Sequence, residues 1–216
     1  MRRTLMILAL LWVTPAWAGA WLRAEGTGFL ASSLLQDENG RTDAALYFEY
    51  GVRPKLTLGV KADADMTAGR LGDGTAFAFD RLPIPTADKP FKLTYDLGIG
   101  ATLGAETDPL LRTGLSYGRG LNWRERSGWL ALDLAVEWSL GGAAHTTKFD
   151  TTIGMGLTDT TKLMMQVFVS NADSRTTVTL APSLIWQPRE SKRSYQVGVE
   201  AERGVVSVRL GLWQDF

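Results

Sequence analysis

Residues 56–65 read Leu56-Thr57-Leu58-Gly59-Val60-Lys61-Ala62-Asp63-Ala64-Asp65. Leu56, Leu58, Val60, Ala62 and Ala64 alternate with Thr57, Gly59, Lys61, Asp63 and Asp65. A helix would scatter these charges around its circumference, whereas a strand collects them on one face. The alternation returns in 91–101, where Phe91, Leu93, Tyr95, Leu97 and Ile99 oppose Lys92, Thr94, Asp96, Gly98 and Gly100. It returns again in 130–138, where Leu130, Leu132, Leu134, Val136 and Trp138 oppose Asp133 and Glu137.

Working outward, the pattern predicts twelve strands, at 26–34, 43–52, 56–65, 74–82, 91–101, 110–118, 128–140, 147–157, 162–170, 176–187, 194–202 and 205–216. Each is near the ~9–11 residues that cross a bilayer as a tilted strand. Chain breakers lie between them, among them Asn39-Gly40, Arg53-Pro54-Lys55, Asp108-Pro109, Gly141-Gly142 and Arg203-Gly204. No linker or shift in composition divides the chain, so one all-β domain is expected.

The start of the chain reads as an address. Arg2 and Arg3 precede an apolar run from Leu5 to Val13, and Ala16-Trp17-Ala18 places small residues where a signal peptidase requires them. Residues 1–18 are expected to be a cleaved signal peptide and residues 19–216 the mature domain. The chain has 216 residues and no cysteine, so an exported form cannot be stapled by disulfides. Lys plus Arg and Asp plus Glu number 23 each, which argues against a nucleic-acid or polybasic surface binder. No later segment is apolar enough for a membrane helix. The mature chain is therefore either soluble or a membrane-spanning closed barrel, since only closure satisfies the backbone of strands in lipid.

Two features favour apolar-out, polar-in. The polar faces carry Gly59, Gly98, Gly100, Gly114, Gly154, Gly156, Gly198 and Gly211. Glycine weakens a solvated strand but makes room in a crowded lumen. Aromatics also sort by strand end. With both termini periplasmic, Tyr50, Tyr117, Trp186 and Trp213 end even-numbered strands, and Phe91, Trp129 and Tyr195 begin odd-numbered ones. All fall at one level, as a girdle would, although Trp129 and Trp213 fall on the lumen side of this register. Trp138 and Phe149 are expected to face each other at the opposite level.

The last strand alternates Val208, Leu210 and Leu212 and ends in Phe216. This resembles the C-terminal assembly signal of Gram-negative outer-membrane β-barrels, departing at Gln214, where that family usually has another apolar or aromatic residue. The turns around Gly51-Val52-Arg53-Pro54-Lys55-Leu56 and Gly156-Leu157-Thr158-Asp159-Thr160-Thr161-Lys162-Leu163 resemble those of transporter barrels linked to aromatic-compound degradation. The resemblance implies a closed, up-and-down antiparallel barrel of about twelve strands in the outer membrane. It implies Phe216 as the assembly signal, and as partners the membrane lipid and the barrel assembly machinery.

In that register the lumen holds Glu49, Lys61, Asp63, Asp65, Lys92, Asp96, Arg112, Asp133, Glu137, Lys148, Asp150, Glu200 and Arg209. Such charges are costly in lipid, and a lumen is their natural place. Arg209 and Glu200 are placed for a diagonal ion pair across the last hairpin. Two outcomes stay open. The charges line a narrow path for small polar or cationic solutes, or they pair and plug a closed barrel with a structural or adhesive role.

A rim-active hydrolase is the third reading. The single histidine, His145, lies in an expected outer loop with no serine within two residues, and there is no G-x-S-x-G. Thr146 or Thr147 as nucleophile would be rare, and the carboxylate pairs Asp63/Asp65 and Glu137/Asp150 are better explained as ion-pair members. No catalytic residue and no cofactor is therefore assigned. One histidine and no cysteine argue against a zinc site, and residues 37–40 lack EF-hand spacing, so no metal site is assigned either.

Overall fold

The computed structural model describes residues 19–216 apart from 68 and 173. The expected signal peptide lies outside the described residues. Twelve strands form: β1 (Gly28–Asp37), β2 (Thr42–Arg53), β3 (Leu56–Thr67), β4 (Arg70–Ile84), β5 (Phe91–Leu103), β6 (Pro109–Trp123), β7 (Arg126–Ser139), β8 (His145–Gly156), β9 (Thr161–Ala172), β10 (Arg175–Trp186), β11 (Arg193–Glu202) and β12 (Val205–Asp215). Each pairs antiparallel with the next, and β1 pairs with β12, so the sheet is a closed barrel without free edges.

All twelve expected strands occur, with moved ends. β1 begins at Gly28 rather than 26, and β6 runs on to Trp123 before a two-residue turn at Arg124-Glu125. Arg124 takes a left-handed φ of 49° there. Bulges interrupt the ladders between Gly51 and Arg53 and between Ala64 and Met66. Connections between strands are short at both ends of the barrel.

The register fixes which face is which, because period two admits no compromise. Leu58 pairs with Tyr50 and Asp80, and Leu132 with Tyr117 and Thr151. Leu58, Leu97, Ile99, Leu134, Val197 and Leu210 are exposed on the outside. An apolar wall of this extent has no place in water and fits a bilayer. The girdle is real for Phe91 and Tyr117, whose rings lie 5.4 Å apart, and for Trp186 and Tyr195 at 5.6 Å. Trp129 and Trp213 instead point inward. At the other end Trp138 faces His145 rather than Phe149. Their rings stack at 5.5 Å, because His145 already belongs to β8 and is Trp138's cross-strand partner. Phe149 pairs with Leu134.

The lumen glycines serve as expected of small residues at crossing points, except Gly156, where a methyl would meet only Ser127 at 3.6 Å. A methyl on Gly59 would occupy the space of the Phe79 ring, and one on Gly154 that of Trp129.

Candidate functional site

Period two puts alternate residues of every strand into the lumen, and all the charges assigned there by sequence lie on the inward face of the observed register. They separate into groups. Glu49 is fully buried and is held by two arginines. Arg23 Nε donates to its Oε2 at 2.9 Å, and Arg81 pairs with its Oε1. Arg81 continues to Asp96 at 3.9 Å, Asp96 to Arg112 at 3.4 Å, and Arg112 donates to Glu137 at 2.8 Å. Glu137 also takes Lys148 at 2.7 Å and Lys61 at 4.0 Å. The result is a chain of alternating charge running along the wall from β2 to β8. Buried charges need such partners, because desolvating an unpaired ion costs several kcal/mol.

Glu200 and Arg209 form the expected diagonal pair, with Arg209 Nε donating at 2.6 Å, and Arg209 also reaches Ser33 at 3.2 Å. Asp63 accepts a hydrogen bond from Thr75 at 2.9 Å. Asp65 packs over Gly72, and Lys92 is exposed near the end of the barrel where β1 begins and β12 ends. Asp133 and Asp150 stand directly opposite each other on β7 and β8. Among the described residues neither has a lysine or arginine nitrogen within the 4.0 Å of an ion pair.

At the centre is a cavity of about 290 Å³. Its charged lining is balanced, with Lys61, Arg81, Arg112 and Arg209 against Asp63, Asp96, Asp133 and Asp150. The lumen charges assigned by sequence are eight acids and five bases, but this excess does not extend to the cavity itself, because Arg81 joins the wall there. Part of its lining belongs to an apolar cluster of Trp129, Met164 and Ile185, with Trp21 and Trp213 packed against it. Met164 thus makes an apolar patch inside the barrel, on a β9 whose pairing is regular on both sides.

Sequence reasoning missed two residues of this site. Arg81 was legible in part, since the dipeptide Asp80-Arg81 places one charge on each face of β4, and the structure turns Arg81 inward. Arg23 was not legible, because residues 19–25 carry no periodic signal. They enter the lumen. The backbone of this stretch passes over Gly51, where a Cβ would strike the Ala24 carbonyl. Arg23 N–H donates to Thr57 Oγ1 at 3.0 Å, Trp21 lies over Gly118 on β6, and Gly19 lies against Asp133 on β7.

His145 stands on the outer face against Trp138. Among the described residues no group of histidine and carboxylates is arranged to hold a metal ion.

Neither a protein-family model nor a curated protein sequence matches the chain. Solved structures do match. The KdgM porin has a TM-score of 0.63 at 10% identity, over 87% of this chain and 99% of that one. LpxR from Salmonella typhimurium has 0.56 at 7%, over 86% and 99%. An outer membrane channel from Pseudomonas putida F1 has 0.55 at 11%, over 94% and 100%. At these identities the likeness is one of fold. The chain has the closed twelve-strand fold of outer-membrane β-barrels, porins and channels among them, and its apolar exterior suits that membrane.

Proposed function

We propose that the protein is a narrow outer-membrane channel for small polar solutes rather than an enzyme. The observation that carries this reading is the charge-balanced cavity of about 290 Å³ inside the closed barrel. That volume is at the lower end of the ~300–1,000 Å³ of small-molecule sites. Its lining supports passage of hydrated, uncharged or zwitterionic solutes, because equal numbers of charges of both signs offer hydrogen bonds without trapping one ion. The fold by itself does not decide function, and the lining is what favours a channel. His145, the residue on which a rim hydrolase would depend, stacks on an aromatic ring of the outer wall.

The closed barrel is a second reading, favoured by residues 19–25 lying in the lumen. Single-channel recording on the folded, mature protein separates the two. The channel reading expects discrete steps smaller than those of open porins, enlarged in Lys61→Ala. Silence from both proteins, each shown folded by its altered migration on an unboiled gel, overturns it.

A further inference from the structure

Asp133 and Asp150 face each other across one rung of the β7–β8 ladder. Two carboxylates so placed repel, and the arrangement calls for a cation between or beside them. The wall's lysines and arginines are engaged elsewhere: Arg112, Lys61 and Lys148 converge on Glu137, and Arg81 on Glu49. Asp133 is hydrogen-bonded by the Ser116 side chain and is also reached by the backbone of Gly19. A methyl built on its Cα would stand 3.3 Å from both Asp133 carboxylate oxygens. The Gly19 nitrogen is two bonds, about 2.5 Å, from that point, and so within about 6 Å of the carboxylate.

Gly19 is also the residue that the expected signal cleavage would leave first. We propose that removal of residues 1–18 creates an ammonium on Gly19 that pairs with Asp133 and seats residues 19–25 as a plug across the lumen. Hydrolysis of the Ala18–Gly19 bond consumes one water and leaves a carboxylate on Ala18 and an ammonium on Gly19. The new cation adds a close partner to the Asp133/Asp150 pair, which Arg81, Arg112, Lys61 and Lys148 influence only from beyond ion-pair distance. The rest of the segment is already fitted to its path. Ala20 is buried, Trp21 packs in the interior cluster, and Arg23 bonds Glu49 and lies over the Phe29 ring at 4.4 Å. The segment spans from β2 to β7, across the lumen rather than along its wall. In this arrangement export processing is what anchors the segment inside the lumen.

The proposal rests on the signal-peptide reading and goes beyond the channel reading, and each can fail separately. The intact mass of protein purified from membranes should equal that of residues 19–216. A mass that retains residues 1–18 overturns the proposal and leaves the channel reading untouched.

On the mature protein, acetylation of the N-terminal amine by an activated acetate ester is followed by peptide mass spectrometry. A carboxylate at this range favours the charged amine, which does not acylate, so wild type should react about tenfold more slowly than Asp133→Asn. Equal rates overturn the proposal. If Asp133→Asn does not fold, two serines inserted between Ala18 and Gly19 move the amine while keeping Asp133. The rate should then rise to that of the urea-unfolded chain, and an unchanged rate overturns the proposal. Conductance recorded on the same variants should show longer openings only if the barrel conducts, so silence there bears on the channel and not on the ammonium site.

Discussion

Lys61 Nζ lies 4.0 Å from Glu137 Oε1, although the two residues stand on β3 and β7, four strands apart around the wall. A contact between non-neighbouring strands must cross the lumen, so this pair sets its width. Lys61→Ala removes the reach without disturbing Arg112 or Lys148, which still satisfy Glu137. The expected outcome is a several-fold larger single-channel conductance with little change in stability. Glu137→Gln leaves Arg112, Lys148 and Lys61 around a neutral group. Breaking a buried pair from one side costs up to about 3–5 kcal/mol, with the amide recovering part of it. Reversal potentials in a salt gradient should shift toward anion preference, and urea should unfold the variant at lower concentration.

The barrel closes through Phe216 and Gly28. Phe216 N–H donates to the Gly28 carbonyl at 3.0 Å, Gly28 N–H donates back at 2.9 Å, and the Phe216 ring passes over Gly28 to stack on Phe48 at 6.0 Å. A side chain on Gly28 would occupy the space of that ring. Gly28→Val should therefore resemble deletion of Phe216, and both should lower the yield of heat-modifiable barrel in membranes. Gly26→Val, at a glycine whose Cβ would meet nothing within 4 Å, tests this residue-specific crowding only if its positive φ is set aside. Ser32→Val, on the outward face of β1, is the better control and should fold normally.

The wall of this barrel was legible and its contents were not, for a physical reason. Lipid and lumen impose opposite demands on successive residues, so Leu58 and Lys61 declare their sides by chemistry alone. Strand ends carry no such demand. β6 runs to Trp123 through Arg119, Gly120 and Asn122, residues that a polar turn would accept equally well. The lumen charges were legible as a set, but of their pairs only the local Glu200–Arg209 was, because the Lys61–Glu137 contact depends on barrel closure rather than on local spacing. Trp129 and Trp213 show the same division. Their inward parity could be read from the alternation, but the cluster they form needs Met164 and Ile185 from other strands and Trp21 from a segment without periodicity.

That cluster makes its own prediction. Ile185 is 1% exposed and Trp129 6%, so truncating Trp129 leaves a cavity inside the barrel. Trp129→Ala should cost about 3–5 kcal/mol, the usual range for a buried large aromatic. Gly154→Val should lose about 1–3 kcal/mol by overpacking the same place, because a methyl there overlaps the indole. The two effects share one site, so the double variant should be more stable than the sum of the single losses implies. Urea unfolding in detergent, followed by tryptophan fluorescence and by gel migration, measures all three.

Asp80 is the counterpart of Arg81 on the other side of the wall. Its cross-strand partners are Leu58 and Leu97, both exposed outside, and it lines an apolar groove there with Phe48, Val60 and Ile99. Its carboxylate accepts a hydrogen bond from the Leu97 N–H at 3.2 Å, which offsets part of the burden of a charge on a lipid face. A basic residue at the bilayer midplane of a barrel costs about 2–4 kcal/mol and an acid less, with the cost falling toward the interface. Asp80→Leu should accordingly stabilise the protein by about 1 kcal/mol in lipid bilayers. The gain should shrink in a short-chain detergent that leaves this level of the wall hydrated. If Asp80→Leu instead unfolds more readily in bilayers than wild type, the carboxylate is held by something more than lipid, and this stretch of wall does not face the acyl chains.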